Sequence, residues 1–223
     1  MPQPQLSPTL VVSIQRSGLN WIRYCVEALT GRRTPGRVLL VDTPLQAPTV
    51  FDRSHDALGL TDRADSAPAW VVATRHDHRR ALLLLRDYRE TFVRHASGDP
   101  AQMRHFVGNI RWFDAFEGEK LVAWYEDFTQ DAAALAPVLR FLGVEPERLE
   151  GFDLADHQAR SRALYDRNQA DGGGSMTRAD PTNMTFHQSR ASPADLARWE
   201  AWTRAELGPL FDRYLGRYTT APT

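Results

Sequence analysis

A single cysteine, Cys25, stands among the 223 residues, which excludes an internal disulfide and any multi-cysteine metal site. Lysine is as scarce. Lys120 is the only one, so 26 of the 27 basic residues are arginine. A phosphate site built from basic side chains would here use planar guanidinium forks rather than point charges. No apolar run approaches the about 18 residues of a membrane span. Runs such as Ala69 to Ala73 and Ala81 to Leu85 stop far short. An excess of charge is missing too. The formal net charge of −1 argues against nucleic-acid binding driven by overall charge, so neither a nucleic-acid nor a membrane partner is expected. No basic-then-apolar signal segment opens the chain, and a cytoplasmic protein is expected. What is present is ordinary for a globular chain: 42% apolar and 25% charged residues, enough to exclude disorder for the bulk. The length suits one domain.

Periodicity divides the chain into alternating elements. Residues 1–8 carry Pro2, Pro4 and Pro8 and read as a loose arm, with one domain over 9–223. Thr9 to Ile14 is rich in β-branched residues and reads as a buried strand. After the turn Gln15–Gly18, Leu19, Ile22, Val26 and Leu29 recur at helical spacing until Gly31. A second strand is expected at Val38–Val41, loop over 42–68, and further strands at Trp70–Thr74, Ala81–Leu85 and Leu121–Trp124. Helices are expected over Asp87–His95, Ala101–Phe116, Asp131–Leu142 and Ala155–Arg167. Asp171–Ser175 is glycine-rich, and 170–190 reads as a mobile loop. Ser192 followed by Pro193 marks the start of a last helix through Leu207. Strands alternating with helices predict an α/β fold, a single domain with a central, mostly parallel sheet flanked by helices.

In such a sheet ligands bind at the carboxyl ends of strands. The first turn, Gln15-Arg16-Ser17-Gly18-Leu19-Asn20-Trp21, therefore draws attention. Gly18 lets the backbone bend close to a ligand, and the first amides of the new helix favour an anion. Arg16 adds a full charge; Ser17 and Asn20 add hydrogen-bond donors. The same residues also suit a plain strand-to-helix turn. There is no Gly-Lys-Ser/Thr, so a nucleotide-triphosphate P-loop is disfavoured.

The stretch Ser13 to Trp21 resembles the 5′-phosphosulfate loop of sulfotransferases that use 3′-phosphoadenosine 5′-phosphosulfate (PAPS). Leu82-Leu-Leu-Leu-Arg-Asp-Tyr-Arg-Glu-Thr-Phe-Val93 resembles that family's second signature, an apolar strand ending in arginine and running into a helix. Leu121-Val-Ala-Trp-Tyr-Glu-Asp-Phe128, followed by Phe141-Leu-Gly-Val144, resembles its Tyr-Glu-Asp strand and Phe-Leu-Gly helix end. The segments come in the family's order, and the likeness covers residues 9–30 and 70–145.

The resemblance implies a fold with a P-loop-like phosphosulfate turn and a C-terminal lid. It implies PAPS as donor, PAP as product and no metal. Arg16 would neutralise charge on the leaving phosphate, a weak base that needs charge more than a proton. Ser17, Gly18, Leu19 and Asn20 would hold the 5′-phosphate; Leu19 contributes only its N–H where the family often has threonine. Trp21 would stack on adenine, although a core position on the helix face suits it as well. Arg86 would bind the 3′-phosphate, or pair with Asp87 or a nearby acid. Arg94 occupies a position usually held by a serine. Tyr125 would lie near the adenine, and Arg178, with Arg190 second, would replace the family's basic clamp. The family's general base is a histidine after Lys-Thr/Ser at a strand end. Thr74-Arg75-His76 follows an expected strand, so His76 is the expected base, with His78 as a rival. His187 is a weaker candidate near the acceptor.

The expected reaction is sulfuryl transfer to a hydroxyl of a small-molecule acceptor. A small-molecule P-loop kinase and a non-catalytic nucleotide-binding domain are the alternatives. Trp70, Phe106, Ile110, Trp112 and Tyr165 are candidate acceptor-lining residues, unless they are core. Acceptor identity and oligomeric state are not legible.

Overall fold

The computed structural model describes residues 8–36, 40–61, 71–94, 100–170 and 191–219. Residues 1–7 of the expected arm, the loop over 171–190 with Arg178, His187 and Arg190, Trp70, and the side chains of Arg94 and Tyr165 lie outside the described residues.

Four parallel strands form one sheet in the order β2-β1-β3-β4. They are β1 (Thr9–Ser13), β2 (Asp52–Ser54), β3 (Arg80–Leu85) and β4 (Glu119–Trp124). The two central strands carry the β-branched and leucine runs, as strands buried on both faces do. Val11 registers with Leu82, and Leu82 with Leu121. Alternation then sorts the side chains. Leu10, Val12, Ala81, Leu83 and Leu85 face one core; Val11, Leu82, Leu84 and Ala123 face the other.

The first core is closed by α2 (Tyr88–Arg94), α3 (Pro100–Ala115), α7 (Pro193–Leu207) and α8 (Pro209–Leu215), through Phe92, Phe106, Phe113, Trp199 and Phe211. The second is closed by α1 (Leu19–Thr30), the short α4 (Tyr125–Phe128) and α5 (Ala132–Phe141), with α6 (Leu154–Ala170) at its margin. The result is a helix–sheet–helix sandwich, the α/β class expected from the alternation. No helix among the described residues is long and apolar enough to cross a membrane.

Local signals account for several boundaries. Gly31 ends α1 in the left-handed region at φ 64°. The Asp131 carboxylate accepts from the Ala133 N–H at 2.8 Å and caps α5. Ser192 caps α7 by accepting from the Asp195 N–H at 3.1 Å, with Pro193 in the first turn.

Two expected strands are corrected. Residues 37–39 lie outside the described segments, and Leu40 and Val41 sit in a bend, where the Leu40 N–H donates to the buried Glu27 carboxylate at 2.9 Å. The strand beside β1 is Asp52–Ser54, within the expected loop. Val71 and Val72 are not a strand either. The Val71 N–H makes one bond to the Arg53 carbonyl, 2.9 Å, and the chain then turns into a single 3-10 turn at Ala73–Arg75. β4 also starts earlier than expected, because Glu119 pairs with Arg80 across the ladder and their side chains form an ion pair at 2.8 Å.

Candidate functional site

The carboxyl edge of the sheet gathers three segments distant in sequence. After β1 the chain makes a tight turn in which the Ser17 N–H reaches the Ile14 carbonyl, 3.3 Å. Arg16 adopts φ 75° and Gly18 φ 87°, both left-handed. For a non-glycine residue that conformation costs about 1 kcal/mol, and such strain concentrates at ligand sites. Gly18 has no substitute. A Cβ there would lie 2.5 Å from Tyr125 Cδ2 and 2.9 Å from Phe128 Cζ. The Trp21 and Ile22 amides already bond the Gly18 carbonyl, so α1 begins at once.

Neither a side-chain cap nor an acidic residue occupies the first turn of α1. With the Trp21 and Ile22 amides taken by the Gly18 carbonyl, the Leu19 amide at the first helical position is the one that helix geometry leaves without a carbonyl within the helix. Ser17 is fully buried, and its Oγ has no hydrogen-bond partner among the described residues. A buried hydroxyl without a partner costs of order 1–3 kcal/mol unless a ligand or water satisfies it. The Arg16 side chain is exposed at the same place. An uncapped twelve-residue helix, an orphaned serine and an exposed arginine make an anion-favouring edge.

Arg86 closes β3 and lies behind this turn. Its Nη1 donates to the Arg16 carbonyl at 3.1 Å, and its guanidinium sits 4.0 Å above the Tyr125 ring. The nearby acid is Glu90 at 3.9 Å; Asp87 instead pairs with Arg89 at 2.8 Å. Arg86 is 5% exposed, so it braces the turn from beneath and adds positive charge there. Tyr125 begins α4 directly after β4 and packs against Phe128. The next two acids anchor the C-terminal segment. Glu126 accepts from the Tyr218 hydroxyl at 2.6 Å, and Asp127 takes a two-pronged ion pair from Arg217 at 2.6 and 2.7 Å. Burial and the Glu126 carboxylate push the Tyr218 hydroxyl pKa far up.

Asn20 presents its Oδ1 to Arg23 Nη1 at 3.2 Å, which orients its amide nitrogen the other way. Arg23 is itself buried, paired with fully buried Glu27 at 3.5 Å and donating to Thr34 at 2.9 Å. Burial pushes the Arg23 pKa down while Glu27 pushes it up. Leu19 and Trp21 are core residues of α1. Trp21 is 3% exposed, stacked on Tyr24 at 5.5 Å, with its indole N–H buried and unpartnered among the described residues. Burial pushes the Tyr24 hydroxyl to about 12.

A polar cluster absent from the sequence reading lies beside the turn. His55 follows β2 directly and is 5% exposed. Its Nδ1 is 2.8 Å from the Ser13 carbonyl and 3.1 Å from Ser13 Oγ. A carbonyl only accepts, so the network assigns the proton to Nδ1, and Nε2 is the basic nitrogen of the neutral ring. Asn109 on α3 fixes the arrangement. Its Nδ2 donates to the Ser13 and His55 carbonyls at 3.2 and 3.1 Å, and its Oδ1 accepts from the Ala57 N–H at 2.8 Å. Buried Asp56 holds the following turn through the Leu60 and Thr61 amides, both 2.9 Å, and faces His105 at 3.5 Å.

The sequence-expected residues thus separate into two groups. Arg16, Ser17, Gly18, Leu19, Asn20, Trp21, Arg86 and Tyr125 all belong to this edge or the core directly behind it. His76 does not sit at a strand end. It follows the 3-10 turn, and its ring packs edge-on 6.1 Å from His78, whose Nε2 is 3.1 Å from Asp52, the first residue of β2. Arg16 leaves from the other end, after the last residue of β1. Arg53-Ser54-His55 has the basic–hydroxyl–histidine order at a real strand end. That order was readable in the sequence, but a strand of Asp-Arg-Ser gives no hydrophobic signal. Of the expected acceptor-lining residues, Phe106 and Ile110 are core, and Trp112 packs on Phe116. No protein-family model matches the chain, and no curated protein or solved structure matches it either.

Proposed function

We propose that the chain transfers a sulfuryl group from PAPS to a hydroxyl of a small-molecule acceptor. The observation that carries the reading is the meeting of three separated segments at one sheet edge. The strained Arg16–Gly18 turn is braced by Arg86 from the end of β3, and Arg86 is stacked on Tyr125 from the end of β4. These are the segments on which the likeness to PAPS-dependent sulfotransferases rests.

The edge fits an anionic donor. The orphaned Ser17 Oγ and the uncapped start of α1 supply donors for the 5′-phosphosulfate, and Arg16 supplies an exposed cation. PAPS brings the activated sulfuryl group. Arg16 and the positive end of α1 hold the charge that builds on the phosphate side as the S–O bond breaks. Asn20 is held at the start of α1 by Arg23, which donates to its Oδ1. We assign the general base to His55 rather than to His76. With Nδ1 committed to the Ser13 carbonyl, Nε2 takes the acceptor proton as the new O–S bond forms. Asn109 is the positioning residue that keeps Ser13 and His55 together.

The test uses ³⁵S-labelled PAPS with a panel of phenols, alkanols, steroids and sugars. His55→Ala is expected to lower transfer by about 10²–10⁴-fold, and His76→Ala by less than about threefold. Loss in His76→Ala with His55→Ala active returns the base to His76. Wild-type protein that transfers nothing across the panel while still binding PAP refutes catalysis.

A further inference from the structure

The turn after His55 also builds a second feature. Leu58 and Leu60, the exposed large hydrophobic residues among those described, are 36% and 50% accessible. Both line one wall of a cavity of about 580 Å³. Met103 and Val107 of α3 form its floor, and Trp199 and Trp202 of α7 the facing wall. The wall is a built element. Asp56 clamps the turn through two backbone amides, and Asn109 holds Ala57. Gly108 keeps α3 low enough for the leucines to lie over it, because a Cβ there would sit 3.2 Å from the δ-carbons of both. A volume in the range of small-molecule sites, with leucine, methionine and tryptophan walls, is the form of a ligand pocket.

The rim is not neutral. Arg104, Arg111 and Arg198 line it against a single acid, Glu206. Glu206 is engaged by Arg111 at 3.0 Å, and Arg198 pairs with Asp195 outside the lining. Arg104 is exposed on the α3 face of the mouth. An apolar interior under a rim with an excess of guanidinium groups complements a molecule with one apolar end and one anionic end.

We propose that this cavity binds an anionic amphiphile, a compact aromatic or aliphatic body carrying one carboxylate, sulfate or sulfonate. The body occupies the space between α3, α7 and Leu58–Leu60, and the anionic group lies at Arg104. The cavity adjoins the Ser13–His55 cluster through the pairs Asn109–Gly108 and Asp56–Leu58, yet the binding inference does not depend on sulfuryl transfer.

The experiment uses two fluorescent probes of nearly one shape: 8-anilinonaphthalene-1-sulfonate and its uncharged counterpart N-phenyl-1-naphthylamine. Each is titrated into the folded protein. The sulfonate is expected to saturate one site and to bind about two- to fivefold tighter than the neutral probe, the effect of one solvent-facing ion pair. Arg104→Glu should weaken the sulfonate by about five- to tenfold and leave the neutral probe within twofold. Leu60→Trp, at a half-exposed position that does not threaten folding, should fill the mouth and weaken both. Equal affinity for the two probes overturns the anionic part. Sulfonate binding unchanged in Leu60→Trp, or absent from the wild type, overturns the site. Circular dichroism of each variant checks that a loss is not unfolding.

Discussion

Gly18→Ala is the substitution whose cost follows most fully from the geometry. Two penalties add there. An alanine held at φ 87° pays about 1 kcal/mol for the left-handed backbone. Its Cβ would also lie 2.5 Å from Tyr125 Cδ2 and 2.9 Å from Phe128 Cζ, where carbon atoms rest at about 3.5 Å or more. The Tyr125 ring must move by about 1 Å, an overpacking cost of about 1–3 kcal/mol. Moving that ring also disturbs Arg86, which is stacked on it and bonded to the Arg16 carbonyl. The sum is about 3 kcal/mol, or about 6–12 °C in Tm for a chain of this size. Gly143→Ala is the control. Gly143 has nearly the same φ, 82°, with nothing within 4 Å of its would-be Cβ, so only the backbone cost of about 1 kcal/mol applies. Thermal and urea unfolding of the two variants separate steric from conformational strain. Equal destabilisation would refute the packing of Tyr125 and Phe128 against the turn.

Other consequences follow from buried and exposed charge. Arg23→Met leaves the Glu27 carboxylate buried without its guanidinium and should cost about 3–5 kcal/mol. The double variant Arg23→Met/Glu27→Leu should be more stable than that single variant by urea unfolding, and a double variant that is less stable contradicts the uncompensated-charge argument. Asp127 is held below the usual carboxylate range by the Arg217 hydrogen bonds. A depressed folded-state pKa adds stability above the ordinary value near ~4 and loses it as pH falls through the lower one. Because both groups are more than a third exposed, Asp127→Asn should cost less than about 1 kcal/mol at pH 7. That gap should close as pH falls below about 4, and a gap that widens in acid is contrary to the argument.

Much of this architecture was legible because the strongest hydrophobic signals coincide with the centre of the sheet. The valine pair of β1 and the leucine run of β3 are buried on both faces, and the glycine and serine caps mark helix ends at the expected places. The edge strand β2 was not legible. Asp52, Arg53 and Ser54 have little strand propensity, and they are extended because β1 offers them a ladder. The apolar Val71–Val72 pair bonds the outer side of β2 through the Val71 N–H and then turns. That exchange moved the expected strand-end histidine from His55 to His76. The tight turn between β1 and α1 could be read from residue types alone. The bracing of Arg16 by Arg86 spans 70 positions in sequence and the Asn109 clamp spans 52 to 96, distances that periodicity does not carry.

The edge formed by Arg16, Ser17 and the start of α1 is proposed to hold a 3′,5′-bisphosphorylated adenosine. Calorimetric titration of PAP into the metal-free protein, with ATP plus Mg²⁺ as the parallel titrant, tests it directly. Saturable PAP binding in the micromolar range is expected, weakening at least about tenfold, the effect of one charge-assisted contact, in Arg16→Ala. Binding of ATP–Mg²⁺ with none of PAP would contradict it and turn the same edge into the nucleotide site of a kinase.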